Sequence, residues 1–384
     1  MSKKIVFVDN RVEYVLSHRI PWLQGAREAG FDVHVTTLTA GNHAHIEDAG
    51  FTYHPISEHR RSNNPIQELR LIGRLYRLYR DLNPDIIHQI TLRSILYSGV
   101  AHALLGEAKI INGVTGLGYM FSSQDLKVRA LRTSVLGALR VLTRRDHVFL
   151  FQNPDDKALF QLHNIVDPSS SVLIKGSGVD MNRFDHQLEP SGQLVVLFPA
   201  RMLWHKGVQA FVNAARIIQA NGFEARFVMV GDIDDDNPAG VSAAQLKEWE
   251  REGTIEWWGY QESMPDVLAQ SHVVCLPSAY REGVPKVLIE AASCGRPIVT
   301  TDMPGCREIV RDGENGYLVP PRNGKAVAEA LKPLLLDDEL RSTMGKRGRE
   351  MVEREFSIER VVRSTLKVYE NVLRKSREAV STPA

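Results

Sequence analysis

The 384 residues exceed the roughly 250 to 300 at which a single hydrophobic core stops growing, so the length predicts two domains. Apolar residues make up 43% and charged residues 24% of the chain, which is typical of a globular protein and excludes an extensively disordered one. The net charge of +1 makes nucleic acid a poor partner, although residues 1–185 lean basic, with 22 Lys and Arg against 18 Asp and Glu.

The cysteines and the apolar runs indicate the compartment. Cys275, Cys294 and Cys306 have spacings that fit no zinc motif, redox pair or disulfide framework, which favours a reducing environment. The N-terminus has too few consecutive apolar residues for a signal peptide, and no apolar run approaches the roughly 18 residues that span a bilayer. We therefore expect a cytoplasmic protein that can lie peripherally on the inner face of the cell membrane.

Short β-branched runs alternate with amphipathic segments from the first residues onward. In the first half, the predicted buried strands are residues 4–8, 32–38, 85–90, 109–114 and 147–152. After residues 184–193 the pattern starts again, with "LVVLFPA", "ARFVMVG", "IEWWG", "HVVCLPS" and "RPIVTT". This alternation predicts an α/β protein with two doubly wound parallel sheets, in domains 1–187 and 188–356. The segment at about 357–380 predicts a long helix, and its periodicity does not decide which domain it contacts.

Ligands of open α/β sheets bind outside the carboxyl ends of the strands, so two facing sheets predict a central cleft lined by strand-to-helix loops. In "YREGVPKVLIEAA" (280–292), Glu282 precedes a predicted helix and Glu290 lies inside it. Eight helical residues span roughly 12 Å, which is too far for paired glycosidase carboxylates. The helix N-terminus instead suits a diphosphate, with the glutamates holding hydroxyl groups on either side. The alternative is that Glu282 is only a first-turn dipole partner and Glu290 a solvated helix residue.

A second candidate is "ARMLWHKGV" (200–208), which follows the first strand of the second domain. Arg201 and Lys206 lie in a loop that ends at Gly207 and opens a helix. Cations at a helix N-terminus oppose the helix dipole, so this placement favours contact with a phosphate over simple solvation.

Two further motifs give only weak indications of a binding site. The aspartates of "DIDDDNP" (232–238) have the composition of a turn, so we expect them to be solvated and expect no required metal. "GVTGLG" (113–118) has its glycines in the order G-x-x-G-x-G, which makes a dinucleotide site a weak prediction.

Two basic stretches in the first half suggest a surface role. Residues 59–82 and 126–145 combine arginines with Leu and other apolar residues at helical spacing. Such helices can lie on an anionic membrane surface, or they can simply cover a sheet with their arginines in water. Both interpretations stay open. Among the histidines, His18 and His88 fall near the predicted strand ends and are candidate catalytic groups.

Over nearly its whole length the chain resembles glycosyltransferase family 4, which comprises retaining enzymes of the GT-B fold. The resemblance rests on the two α/β domains and on the segments "ARMLWHKGV", "YREGVPKVLIEAA" and "GCREIVRDGENGYLVPP". "ARMLWHKGV" and "GVTGLGYMF" are similar to segments of bacterial enzymes that extend lipid-linked oligosaccharides or build capsules. Two departures stand out, because Thr115 occupies a position where many members carry His, and "DNRVEYVLSHR" (9–19) replaces a Gly-Gly loop.

The resemblance implies a role for each matching residue. Arg201 and Lys206 would neutralise the donor diphosphate, Glu282 would contact the donor sugar, and Glu290 would bind the ribose hydroxyls. Further donor-binding residues implied by the resemblance are Gly283, Val284, Pro285, Gly259 and Tyr260. Residues implied on the acceptor side are His18, Arg19, His88, Thr115 and Gly116. The first domain would bind the acceptor, the second would bind the donor, and the helix at 357–380 would cross back to the first.

The activity implied is transfer of a hexose or N-acetylhexosamine, with retention, from a nucleotide-sugar that we expect to be UDP-linked. The acceptor would be a lipid-linked (polyprenyl diphosphate) saccharide or a polysaccharide precursor. The leaving phosphate would help to take the acceptor proton, and the fixed cations would make a metal unnecessary. Two alternatives remain: a nucleotide-sugar epimerase of similar two-domain fold, and a non-catalytic nucleotide-sugar-binding assembly protein.

Overall fold

The computed structural model describes residues 2–57, 64–106, 108–143, 147–235 and 237–381, with side chains described as far as residue 374. It divides into two compact units. Unit 1 comprises Met1–Ser177 and Glu359–Ala384, and unit 2 comprises Gly178–Ile358. The division falls earlier than the predicted boundary after residue 187, because Val179 pairs with Ser357 and Phe184 packs in the core of unit 2.

Unit 1 alternates strands and helices. Its strands are β1 (Lys3–Asp9), β2 (Phe31–Thr37), β3 (Thr52–His54), β4 (Ile86–Ile90), β5 (Lys109–Val114), β6 (Val148–Phe151) and β7 (Ser171–Leu173). Its helices before the last strand are α1 (Val12–His18), α2 (Ile20–Glu28), α3 (Ala44–Asp48), α4 (Pro65–Leu82), α5 (Leu92–Ala103), α6 (Gly118–Ser122), α7 (Leu126–Leu142) and α8 (Pro154–Leu162). The strands pair in parallel, in the order β3-β2-β1-β4-β5-β6-β7. The order reverses between β1 and β4, which is the switch point where doubly wound sheets bind ligands.

Unit 2 repeats this architecture. Its strands are β8 (Leu194–Pro199), β9 (Ala225–Val230), β10 (Glu256–Trp257), β11 (Val273–Leu276), β12 (Ile298–Thr301) and β13 (Gly316–Val319). Its helices are α9 (Val208–Ala220), α10 (Ala243–Arg251), α11 (Met264–Ala269), α12 (Lys286–Ser293), α13 (Cys306–Ile309), α14 (Gly324–Leu336) and α15 (Asp338–Glu355). The parallel order β10-β9-β8-β11-β12-β13 reverses between β8 and β11. The prediction of two doubly wound parallel sheets is confirmed.

The terminal helix α16 (Ile358–Ser381) packs on unit 1. Its Tyr369 is fully buried, with its hydroxyl 2.8 Å from Nδ1 of His88 and its ring edge-on to Phe7. Gly25 on α2 leaves room for this helix, because a Cβ there would lie 2.3 Å from Val362 Cγ1. Small and aromatic residues thus fit α16 closely to the sheet of unit 1.

The strands that the sequence pattern missed, β3, β7 and β13, all lie at sheet edges. An edge strand is short and has one partner, so it carries a weaker apolar signal than a central strand. Residues 59–63 and 144–145 of the predicted basic stretches lie outside the described residues. Among the described residues, no helix is both long and apolar enough to cross a membrane.

Candidate active site

The candidate site forms where the loops after β8 and β11 meet, at the switch point of unit 2. The two strands are direct neighbours, with Val273 opposite Val196 and Val274 opposite Leu197. Because they are parallel, their carboxyl ends lie at the same edge of the sheet. The predicted Arg201 and Lys206 follow β8, and the predicted Glu282 follows β11, so all three belong to this edge.

Lys206 and Glu282 form a partly buried ion pair at the centre of the site. Lys206 Nζ lies 2.6 Å from Glu282 Oε2, and the side chains are 16% and 12% exposed. Ser278 donates its hydroxyl to the other carboxylate oxygen, Oε1, at 2.8 Å. Both oxygens of Glu282 therefore have a partner, which fixes the orientation of the carboxylate.

The two loops are pressed together by a glycine at the start of α9. Gly207 has a φ of 92°, and a Cβ at this position would lie 2.0 Å from the carbonyl oxygen of Pro277. The amide of Ala279 donates to the carbonyl of His205 at 2.9 Å, which ties the loops a second time. Any other residue at 207 would be strained in its backbone and would push the loops apart.

An aromatic pair lies beside this ion pair. The rings of His205 and Tyr280 stack with centroids 4.5 Å apart, and Lys206 Nζ lies 5.9 Å from the centroid of the Tyr280 ring. Burial, with further contributions from the Lys206 and Arg201 charges, lowers the pKa of His205 to about 4, although Glu282 opposes this effect. His205 is therefore neutral at neutral pH and adds no positive charge to the site.

Arg201 is held by an aspartate that sequence reasoning placed in solvent. Its Nη1 donates to Asp234 Oδ2 at 2.9 Å, and the Asp234 side chain is only 15% exposed. Asn237 Nδ2 also contacts Asp234 Oδ2, at 3.3 Å. The expectation that these aspartates are all solvated is therefore wrong for Asp234. The loop after β9 brings Asp234 back to the neighbouring strand β8, which a turn composition does not reveal.

The helix N-terminus predicted in this region is present, but it begins later than expected. Pro285 is the N-cap residue of α12 rather than part of its first turn, and Lys286 is the first helical residue. Gly283, Val284 and Pro285 are buried just before the helix. Gly305 approaches this segment so closely that a Cβ there would lie 1.5 Å from the Gly283 carbonyl oxygen. The first N–H groups of α12 have no acceptor within the helix, so they can serve an anion.

Glu290 lies within α12 and is only 6% exposed. Its Oε1 is 2.9 Å from Lys286 Nζ, one helical turn earlier. Burial raises the pKa of Glu290, although the nearby Lys286 and Arg183 charges counteract part of this effect. The alternative of a solvated helix residue is therefore wrong for Glu290. A buried carboxylate on this helix is suited to accept hydrogen bonds from hydroxyl groups.

Gly259 and Tyr260 lie in the loop that follows β10. The carbonyl of Gly259 accepts a hydrogen bond from Gly231 N at 2.8 Å, and Gly259 has a φ of 66°. Tyr260 is 70% exposed, so its ring is open to solvent at this loop. Gly231 follows β9, the strand next to β8, which places this loop on the same edge of the sheet as Arg201.

The residues predicted on the acceptor side lie in unit 1. His18 ends α1, with its Nδ1 2.6 Å from the Ser17 hydroxyl. Arg19 is buried and donates through Nε at 3.1 Å to Oδ2 of Asp9, the last residue of β1. Thr115 and Gly116 follow β5 and are half-buried. Arg19 thus reaches the carboxyl end of β1, and Thr115 and Gly116 lie at the carboxyl end of β5.

His88 differs from the other predicted acceptor residues because it is fully buried inside unit 1. Its ring stacks on Trp22, with centroids 5.7 Å apart, and its Nδ1 pairs with the Tyr369 hydroxyl. Burial, with a smaller effect of Arg19, lowers the pKa of His88 to about 3. His88 thus lies in the interior of β4 rather than at the strand end, and it contacts α2 and α16.

No group of three or more His, Cys, Asp or Glu side chains is arranged to hold a metal ion within the described parts of the chain. Cys275, Cys294 and Cys306 are free and buried. Burial raises the pKa of both the Cys294 and the Cys306 thiol to about 12, so neither is a reactive thiolate at neutral pH.

Two family models match most of the chain. Residues 180–351 match the family model described as glycosyl transferases group 1, and residues 4–153 match the model described as glycosyl transferase 4-like. The chain belongs to the glycosyltransferases. Its group 1 region contains every residue of the candidate site in unit 2, and its 4-like region contains the residues predicted on the acceptor side.

Individual relatives agree with the family models. The N,N'-diacetylbacillosaminyl-diphospho-undecaprenol alpha-1,3-N-acetylgalactosaminyltransferase of Campylobacter jejuni is 25% identical over 97% of this chain and 99% of its own length. The UDP-Gal:alpha-D-GlcNAc-diphosphoundecaprenol alpha-1,3-galactosyltransferase of Escherichia coli is 22% identical over 76% of this chain and 77% of its own length.

Solved structures show the same fold. A glycosyltransferase from Rickettsia africae has a TM-score of 0.76 at 18% identity and covers 97% of this chain and 99% of its own. Anabaena Alr3699/HepE in complex with UDP has a TM-score of 0.76 at 16% identity and covers 96% of this chain and 100% of its own. The predicted family, the GT-B fold and the glycosyltransferase activity are confirmed, and these relatives do not favour the epimerase or the non-catalytic alternative.

Proposed function

We propose that this glycosyltransferase transfers a hexose or N-acetylhexosamine from a UDP-sugar to a polyprenyl-diphosphate-linked saccharide, with retention of anomeric configuration. The observation that carries the proposal is the arrangement at the switch point of unit 2. Two fixed cations, Arg201 and Lys206, follow β8, and the segment after the neighbouring strand β11 carries Glu282, the N-terminus of α12 and the buried Glu290.

The cations and the helix suit a diphosphate leaving group. Arg201 is oriented by Asp234, and Lys206 is oriented by Glu282, so neither side chain must be ordered when the donor binds. Preorganised positive charge stabilises the negative charge that develops on the departing diphosphate. The N–H groups at the start of α12 add donors without any net charge. Because this chain's own groups supply the neutralisation, we propose that no metal is required.

The carboxylates suit the two neutral ends of the donor. Glu282 lies beside Lys206 and would accept hydrogen bonds from the sugar, while the buried Glu290 would accept them from the ribose hydroxyls. Gly283, Val284 and Pro285 would support the phosphates, and the Gly259–Tyr260 loop would contact the base. The leaving phosphate would then accept the acceptor proton as the new glycosidic bond forms on the same face.

The nature of the acceptor is supported by the relatives. The names of the Campylobacter jejuni and Escherichia coli enzymes specify acceptors in which a saccharide is linked to undecaprenol through a diphosphate. We propose an acceptor of this class for this chain, bound by unit 1 through the loops that carry His18, Arg19, Thr115 and Gly116.

A lipid-linked acceptor requires contact with a membrane, and helix α7 has the composition for it. Leu126 and Val141 are 77% and 82% exposed, and Lys127, Arg129 and Arg140 are exposed on the same helix. Helix α4 adds the exposed Arg77 and Arg80. Exposed apolar side chains beside cations suit the anionic inner face of a membrane. We propose that the enzyme is cytoplasmic and docks there peripherally.

A transfer assay tests the activity. Purified protein is incubated with UDP-hexoses or UDP-N-acetylhexosamines and short-chain polyprenyl diphosphate saccharides, and products are analysed by mass spectrometry and NMR. The proposal expects one added sugar with the anomeric configuration of the donor, and loss of transfer in Glu282→Gln. Isomerised UDP-sugar without transfer would establish the epimerase instead, and inversion would overturn the retaining mechanism.

Sedimentation with vesicles tests the docking separately. Binding to vesicles that contain phosphatidylglycerol should fall as salt rises and should weaken in the double variant Arg77→Gln/Arg80→Gln. Equal binding to neutral vesicles, or no effect of either change, would overturn the docking model while leaving the transfer activity untouched.

A further inference from the structure

Lys286 and Glu290 form an ion pair on one face of α12, inside unit 2. Lys286 Nζ lies 2.9 Å from Glu290 Oε1, and the two side chains are 24% and 8% exposed. Residues four positions apart are neighbours on the surface of a helix, so α12 by itself brings the two together. A carboxylate can accept about four hydrogen bonds, so a contact through Oε1 leaves acceptor capacity for the hydroxyl groups of a ligand.

The stability of α12 does not account for this ion pair. Lys286 is the first helical residue, and a cation at a helix N-terminus opposes the helix dipole. The order of the pair, with Lys four residues before Glu, is also the less favourable order in an isolated helix. The placement therefore favours a role in which Lys286 acts on the carboxylate of Glu290.

Phe184 holds the ammonium group of Lys286 from a second side. Lys286 Nζ lies 6.0 Å from the centroid of the Phe184 ring, and this ring belongs to the core of unit 2. The carbonyl of Phe184 accepts hydrogen bonds from the Ser293 hydroxyl at 2.6 Å and from Arg349 Nη1 at 3.0 Å. Phe184 is thereby tied to α12 and α15, so Lys286 lies between a fixed ring and Glu290.

The charges around Glu290 decide whether it is an acceptor. Burial raises the pKa of Glu290, and Lys286 opposes this effect more strongly than the exposed Arg183 does. Without Lys286 the pKa should rise further, so Glu290 would be protonated at a higher pH and would lose acceptor capacity. The charged and titratable groups around Glu290 and the end of α12 are Lys286 and Cys294 on α12 and its end, Arg183 and Asp185 before β8, and Arg349 on α15.

We infer that Lys286, held against Phe184, is a positioning residue that keeps the Glu290 carboxylate oriented as the acceptor for the ribose hydroxyls of the donor. The inference rests on the proposed function, because ribose binding by Glu290 is part of that proposal. It adds that Lys286 acts on donor affinity through Glu290 rather than through the phosphates. Donor affinity should thus depend on Lys286 only while Glu290 is present.

The test is calorimetric titration with UDP at pH 6 and pH 8, with each variant compared with the wild type at the same pH so that titration of the nucleotide cancels. Lys286→Met should weaken UDP about fivefold at pH 6 and less at pH 8, because the carboxylate is protonated more readily. Lys286→Arg keeps the charge and should stay within about twofold of the wild type. In the Glu290→Gln background, Lys286→Met should cause no further loss.

The matched control is Lys332→Met, which breaks a Lys–Glu pair on α14 of the same unit. It should bind UDP as the wild type does at both pH values. An equal loss in this control, or a loss in Lys286→Met that follows the melting temperature and not the pH, would assign the Lys286–Glu290 pair to fold stability and overturn the inference.

Two further outcomes would overturn it. Wild-type affinity of Lys286→Met at both pH values would show that Glu290 needs no such partner. A loss that is equal at both pH values and persists in the Glu290→Gln background would place Lys286 on the diphosphate. Failure of the wild type to bind UDP would overturn the proposed function and this inference with it, whereas UDP binding that needs Glu290 but not Lys286 would overturn the inference alone.

Discussion

Lys206 Nζ and Glu282 Oε2 lie 2.6 Å apart, joining the loop after β8 to the loop after β11 across the switch point of unit 2. The ion pair keeps both groups oriented in the absence of a ligand. A donor diphosphate can then share Lys206 with Glu282, so the positive charge is already in place when the leaving group departs.

This ion pair should also stabilise unit 2. Removal of one partner leaves a largely buried charge uncompensated, so Lys206→Met and Glu282→Gln should each lower the free energy of unfolding by about 2 kcal/mol. The double variant should lose less unfolding free energy than the two single variants lose together. A double-mutant cycle based on urea unfolding measures this difference. The Arg216–Glu252 pair provides the control, since its side chains are 44% and 41% exposed and solvent should make its coupling much weaker. Additive losses at 206 and 282 would contradict the coupling.

Asp234 should act as a positioning residue for Arg201. Asp234→Asn keeps the shape of the side chain but removes its charge, so Arg201 would be less firmly held and the donor KM should rise about fivefold, with a smaller change in kcat. The matched control is Asp235→Asn, a change at the exposed neighbouring residue, and it should behave as the wild type. Steady-state kinetics with varied donor decides the matter, and an unchanged KM in Asp234→Asn would show that Arg201 needs no such support.

Whether the sequence could predict a residue of this site depended on whether a central strand or the fold of a loop positions it. Arg201, Lys206 and Glu282 were predictable because each follows a strongly apolar central strand, and such strands bring their carboxyl ends together. The contact between Arg201 and Asp234 was not predictable, because it depends on how the loop after β9 folds back. Ser278 was missed although it is the last residue of the predicted strand "HVVCLPS", since a lone Ser there is most often a turn residue.

The contacts of individual strand and helix residues were also beyond the sequence. The pattern placed His88 near a strand end, yet the register pairs it with Phe7 in the middle of β1 and β4. The periodicity of α16 predicted a helix but did not identify its partner. The family resemblance implied that the helix returns to the first domain, and the contacts of Tyr369 with His88 and Phe7 show where it packs.

Glu290 should make donor affinity depend on pH. Its pKa is raised by burial, so as the pH falls through that value the carboxylate is protonated and loses its capacity to accept two hydroxyl donors. UDP affinity of the wild type, measured by calorimetry between pH 5 and 8, should therefore weaken toward the acidic end. Glu290→Gln should bind about tenfold more weakly with a flatter profile, whereas the exposed Glu262→Gln should retain the wild-type profile. A wild-type profile in Glu290→Gln would exclude this carboxylate as the source.

His88 should make unit 1 sensitive to acid. Its pKa in the folded state is lowered to about 3, below the ordinary value of 6.5, so the unfolded state binds a proton more readily. Its contribution to stability is thus fully present above about pH 6.5 and is lost progressively as the pH falls toward 3. Hydrogen exchange of β4 amides, corrected for intrinsic rates, should show weaker protection at pH 5 than at pH 7. The loss should be smaller in His88→Gln, and an identical pH response in both proteins would contradict this assignment.

Donor binding through Lys206 is the central claim, and calorimetric titration with a panel of UDP-sugars tests it most directly. The titration compares wild type, Lys206→Ala and Lys247→Ala, a change to an exposed lysine on α10 of the same unit. The account predicts that at least one UDP-sugar binds the wild type and Lys247→Ala equally and binds Lys206→Ala at least about tenfold more weakly. Equal binding to all three proteins, or no binding of any UDP-sugar to the folded wild type, would contradict it.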